Sequence, residues 1–216
     1  MSSANNFVTR NSLLPPTEKR KQFELRALAL RDFAGVRENQ PLDPFALAKF
    51  AKLLVVDFDR IEGLSAETRA HLLGEGTDEW SGGACSRPLP DGWRLVILNP
   101  AHGKHRNRAT LMEEVAHVFL GHNANRLAVV NDKSDRGGAR TLARDYNHDD
   151  EEAAYAIGAA ALVPYTALRR LVIEGRSADQ ISRHFRVSRQ LIEYRIKVAH
   201  LWAAYKQTST MGAEHV

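Results

Sequence analysis

Two glutamates and a histidine stand together in the string Arg106-Asn-Arg-Ala-Thr-Leu-Met-Glu-Glu-Val-Ala-His-Val-Phe-Leu-Gly121. Its spacing predicts a helix. At about 100° per residue, Glu113, Glu114 and His117 share one narrow arc with Thr110 and Gly121. Ala109, Leu111, Met112, Val115, Ala116, Val118, Phe119 and Leu120 cover well over half of the circumference. A helix with so wide an apolar surface belongs inside a protein. Carboxylates in that setting are costly unless they are paired or protonated, and a divalent cation is the most economical partner. Residues four apart stand about 5–6 Å apart at Cβ, so Glu113 and His117 can reach one ion between them. Glu114, one position on, then points beside that ion, where a general base meets a bound water. Glutamate is also a good helix former, and Glu-Glu-x-x-His occurs in many helices without any ligand role.

A third ligand has to come from elsewhere in the chain. His148-Asp-Asp-Glu-Glu152 opens the next helix, and a run of small residues, Ala153-Ala-Tyr-Ala-Ile-Gly-Ala-Ala-Ala161, follows it. Such a run lets one helix approach another closely, which brings Glu152, or alternatively Glu151, towards His117. Acidic residues at a helix N-terminus also favour the macrodipole without ligating anything. Continuing the helical rotation sets His122 on the far side from His117, where it caps or packs.

Arg108-Ala-Thr-Leu-Met-Glu-Glu-Val-Ala-His-Val-Phe-Leu-Gly-His122, together with Glu151-Glu-Ala-Ala-Tyr-Ala-Ile-Gly-Ala-Ala-Ala-Leu-Val-Pro164, resembles the ImmA/IrrE family of metallopeptidase-like proteins. The resemblance spans roughly residues 42–202, and these two helices are its specific part. It implies a zincin-like α+β domain, zinc, and cleavage or displacement of a transcriptional repressor in stress responses. By the same resemblance Glu114 takes the catalytic-base position, His117 the second ligand and Glu113 the place of the first, where the family carries histidine. The acid on the second helix is offset by about one residue from the family's spacing. Two carboxylates and one imidazole make a bound ion a weaker Lewis acid, and Mn²⁺ then competes with Zn²⁺.

The elements around these helices are less sharply written. Residues 1–17, rich in Ser and Asn and ending in Pro15-Pro16, read as a loose arm. Helices are expected from Glu18 to about Val36 and from Pro44 through Ala51, with a buried strand at Leu53-Leu-Val-Val-Asp-Phe58 and a short helix from Ser65 to Gly74. Trp80–Ser86 and Trp93–Leu98 read as strands of a small antiparallel sheet, and residues 127–146 as a hairpin turning near Gly137-Gly138. The first of those strands, if it borders the cleft, can accept an extended peptide by β-addition. The metallopeptidase-like unit is expected over residues 18–165, followed by a helical segment at 166–206 and a frayed tail at 207–216.

Residues 178–196 resemble a helix-turn-helix. Ser177 with Gln180 forms a capping box, and Val187-Ser188 fits the turn and the second N-cap. A DNA-reading helix would present Arg189, Gln190, Glu193, Tyr194 and Lys197, which makes DNA the alternative partner and a non-catalytic regulator the alternative function. The chain has 216 residues and a net charge of +4, a mild basic bias that permits nucleic-acid contact without establishing it. With 44% hydrophobic and 26% charged residues the composition is that of a globular protein. One cysteine, no secretory h-region behind Met1 and no long apolar run point to the cytoplasm, away from membranes.

Overall fold

The structure is a computed structural model that describes residues 13–85, 87–122, 127–130, 140–144 and 147–213. Its helices are α1 (Glu18–Phe33), α2 (Pro44–Phe50), α3 (Ala66–Leu73), α4 (Lys104–Phe119), α5 (His148–Leu162), α6 (Tyr165–Ile173), α7 (Ala178–Phe185), α8 (Arg189–Val198) and α9 (Trp202–Ala213). Strands β1 (Leu53–Val56), β2 (Gly82–Ala84) and β3 (Arg94–Leu98) form one sheet. Strands β4 (Leu127–Val130) and β5 (Arg140–Arg144) form a separate antiparallel pair. The expected turn at Gly137-Gly138 lies outside the described residues. The fold class is α+β.

Helix α5 is the centre of the molecule. Ala154, Ala156, Ile157, Gly158, Ala159, Ala160, Ala161 and Leu162 are all buried, so the helix is covered on nearly every side beyond its first turn. Helices α1 and α4 pack along it, and α8 touches it as well. The small side chains are what allow this. A Cβ built on Gly158 would stand 3.2 Å from the Met112 carbonyl oxygen and 3.3 Å from the Glu113 backbone nitrogen. On α4, Leu111, Met112, Val115 and Ala116 are all fully buried. Its apolar arc is narrower than the periodicity predicts, because Phe119 is exposed and rests edge-on against Phe33.

The sheet has the order β1-β3-β2. Strand β2 pairs with β3 antiparallel, whereas β1 runs parallel to β3 with Leu53 opposite Arg94, so the sheet is mixed rather than wholly antiparallel. The connection between β1 and β3 is long enough to carry the chain back to the same end of the sheet. Strand β2 is an edge strand lying against α4, and a Cβ on Gly82 would come 2.8 Å from Thr110 Cγ2.

The C-terminal helices are joined by turns in which bulky residues hold the left-handed conformation. Arg186 (φ 57°) separates α7 from α8, and His200 (φ 57°) ends α8 before α9. The helical segment expected at 166–206 is therefore interrupted at these turns, and the chain is helical again from Trp202 through Ala213. Ser177 and Gln180 form the capping box read from the sequence.

Two buried arginines fasten the ends of the chain to α5. Arg31, 1% exposed, donates to the carbonyls of Ala161, Arg37 and Gln40. Arg195 donates to the Val163 carbonyl and forms a 2.7 Å ion pair with Glu24, the two side chains 4% and 2% exposed. Glu24 also accepts from the Tyr165 backbone N–H. Breaking such a pair from one side leaves an uncompensated buried charge. Arg195→Met is expected to lower unfolding stability in urea by about 3–5 kcal/mol. Lys19→Ala, which removes the exposed partner of Glu152, is expected to cost less than about 1 kcal/mol. Equal losses in the two variants would contradict the different weight given to these pairs.

Candidate metal centre

Four residues of α4 set up the polar face: Thr110, Glu113, Glu114 and His117, each partly buried. The helix runs uninterrupted from Gly103, its N-cap, to Leu120, its C-cap. Glu113 and His117 therefore stand one turn apart on the side that faces the first turn of α5. Asn147 caps α5, its side-chain oxygen accepting from the backbone N–H groups of Asp149 and Asp150. That cap fixes the rotation of the turn carrying Asp150, Glu151 and Glu152.

Glu113, His117 and Glu151 come together, each offering one ligand atom, with those atoms within 4.8 Å of one another. His117 Nε2 stands 3.6 Å from Glu151 Oε2. Glu152 points elsewhere. It accepts from Lys19 Nζ at 2.7 Å and lies 3.9 Å from Arg20, and it belongs to a second, outer group with His148 and Asp149. Of the two acids read as alternatives for the third position, Glu151 is the one beside His117. Successive residues of a helix differ by about 100° in direction, and the Asn147 cap together with the Gly158 contact turns residue 151, not 152, towards α4.

The electrostatics follow from burial. The Glu113 carboxyl is pushed up to about 7, first by its removal from water and then by the charges of Glu114 and Glu151. His117 is pushed below the usual imidazole range by burial, which outweighs the opposing attraction of Glu151. A carboxyl that resists ionising, a histidine that resists protonation and a further acid face one another across a few ångströms. Two carboxylates and an imidazole make a donor set that suits a divalent cation, which Glu113, His117 and Glu151 would bind together. The residues fit a metal.

Three further side chains meet at this place. His122 lies beside His117 and not across the helix from it, with its Nδ1 3.0 Å from His117 Nδ1. Gly121, at φ 70°, turns the chain back so that the helical rotation no longer continues. A glycine just past the last helical turn marks such a reversal in sequence. Tyr155, one turn on from Glu151, has its hydroxyl pKa raised by burial, by Tyr194 and by Glu113. Tyr194 stacks edge-on against it, with ring centroids 5.0 Å apart.

The residues read as a DNA-contacting set all lie on α8. Tyr194 packs against α5 in this way. Arg189 is held by Glu193 at 2.7 Å and by Asp179 at 3.2 Å, whereas Gln190 and Lys197 are exposed. No single helix among the described residues is long and apolar enough to cross a membrane.

A helix bearing acid, acid and histidine, an acid from the next helix, and a small sheet whose edge strand lies against the first of them together define a metallopeptidase-like fold. The family model for the IrrE N-terminal-like domain, a peptidase family, matches residues 83–197, just over half of the chain. This chain belongs to that family. No curated protein and no solved structure matches it. The matched span opens at β2, contains α4 and α5, and ends within α8.

Because Glu113 binds its proton more tightly folded than unfolded, the folded chain holds the extra proton between about pH 4.5 and 7. In that window the metal-free protein loses stability as pH rises, by on the order of 3 kcal/mol in all. Glu113→Gln is expected to remove this part of the slope when urea midpoints are compared from about pH 5 to about pH 8 in chelator. An unchanged slope would mean that Glu113 titrates as an exposed acid.

Proposed function

We propose that this chain is a metal-dependent, peptidase-type regulator that acts on a protein of the transcriptional-repressor kind in the cytoplasm. The reading is carried by the convergence of Glu113, His117 and Glu151 on one point between two buried helices. These three would hold Zn²⁺ or a harder ion such as Mn²⁺. When bound, the ion would polarise a scissile carbonyl and acidify water. The two carboxylates favour the harder ion relative to a site built on two histidines.

The chain's own groups take up the rest of the work. Glu114 neighbours Glu113 on the same helix face and is partly buried, a position from which its carboxylate oxygen can take a proton from the attacking water and return it to the departing amine. His117, neutral through burial, offers a lone pair without first shedding a proton. Strand β2 supports a protein substrate. It hydrogen-bonds to β3 and lies against α4 at Thr110, one turn before Glu113 and Glu114. A peptide added along its other edge would run past those carboxylates. The repressor class of the substrate comes from the family resemblance.

Purified protein is expected to take up close to one equivalent of Zn²⁺ or Mn²⁺, and His117→Ala to lose it, as measured by metal analysis after gel filtration. Incubated with a repressor-type substrate, Glu114→Gln is expected to keep the metal and to cleave about 10²–10⁴-fold more slowly. Cleavage unaffected by Glu114→Gln would remove that residue as the base. Metal uptake unaffected by His117→Ala would remove the site itself.

A further inference from the structure

We propose that His122 and Asp150 are positioning residues for the metal centre, holding His117 as its Nδ1–H tautomer with the Nε2 lone pair turned towards Glu151. The inference rests on the metal reading above and deepens it.

The backbone prepares the contact. Helix α4 closes with the His122 N–H donating to the His117 carbonyl at 3.0 Å and the Gly121 N–H donating to the Val118 carbonyl at 3.1 Å. This paired closure needs a left-handed residue at Gly121, which has φ 70°. It lays the ring of His122 edge-on to that of His117, with centroids 5.1 Å apart and planes at 68°. The Nδ1 atoms are then 3.0 Å apart, a separation that requires one proton between them, carried by one ring and accepted by the other.

Asp150 decides which ring carries it. His122 Nε2 stands 3.4 Å from Asp150 Oδ1. The other oxygen, Oδ2, accepts from Asn147 Nδ2 at 2.9 Å, so the carboxylate is anchored at the N-cap of α5. Of the two carboxylates that face the histidine pair this is the nearer, 3.4 Å from its ring nitrogen against 3.6 Å for Glu151 and His117, and we place the His122 proton on Nε2, towards it. In the neutral ring Nδ1 is then the acceptor, and His117 must be the donor through its own Nδ1–H. What is left at His117 Nε2 is a lone pair, 3.6 Å from an oxygen of Glu151.

The resulting chain, Asp150 to His122 to His117, runs from the N-cap of one ligand-bearing helix to the C-terminal closure of the other. A ligand histidine held through its second nitrogen keeps its orientation, and loss of such a support commonly weakens metal binding by about 10–100-fold.

The test uses full-length protein labelled with ¹⁵N at histidine. In metal-free wild type, long-range nitrogen–proton spectra are expected to show His117 protonated at Nδ1 and His122 at Nε2. In His122→Phe, which keeps a ring of similar size, His117 is expected to shift towards its Nε2–H form. Calorimetry of the same variant is expected to show zinc binding about 10–100-fold weaker at unchanged stoichiometry. Asp150→Ala, at a more exposed position, is expected to move both readouts the same way. Wild-type His117 protonated at Nε2, or zinc affinity unchanged in both variants, would overturn the proposal. A wild type that takes up no zinc overturns the metal reading instead, and the nitrogen spectra then uphold or overturn the hydrogen-bonded chain on their own.

Discussion

The close approach of α4 and α5 is the constraint on which the site depends. At Gly158 the two helices touch backbone to backbone, and even a methyl group there would stand 3.2 Å from the Met112 carbonyl oxygen. Seven residues earlier, two turns along α5, the same helix presents Glu151 to His117. A wider spacing would carry Glu151 out of reach of Glu113 and His117, and would admit water to relieve their burial. Proximity and desolvation thus arise from one packing contact, so the raised pKa of Glu113 and the geometry of the cluster share a cause. The run of alanines on α5 serves the same end, because a helix of small residues can be enclosed by three others without forcing them apart.

The part of the site carried by one helix was legible in the sequence. Glu113, Glu114 and His117 lie on a common face because helical rotation is regular, and no tertiary information is needed to see it. The third position was not legible to the residue. Choosing between Glu151 and Glu152 requires the rotation of α5 about its own axis, which depends on its cap and on a glycine contact seven residues away. His122 was misplaced for a related reason. Extending the helical rotation through Gly121 sends residue 122 to the far side, whereas a left-handed glycine reverses the chain and brings it back over His117.

The same contrast holds for the fold. Helices α1, α2, α4 and α5 were expected near their observed places, because capping residues, prolines and apolar periodicity mark them. The parallel pairing of β1 with β3 was not, since nothing local in either strand states its partner's direction across a connection of nearly forty residues. The break at His200 escaped notice too, because a histidine in the left-handed region leaves no glycine or proline to mark it. The turn before α8, left-handed at Arg186, was legible from the Ser188 N-cap. Local rules describe the elements well, and fail where a residue is held in place by something distant in the chain.

The ion pair between Glu24 and Arg195 joins positions 171 residues apart. During synthesis on a ribosome the carboxylate emerges long before its guanidinium partner. Until residue 195 has left the exit tunnel, α1 can dock on α5 only by burying a lone negative charge or by giving it up to a proton. A chain that still lacks α8 therefore holds α1 against α5 less tightly, because the Glu24 charge has no guanidinium to pair with.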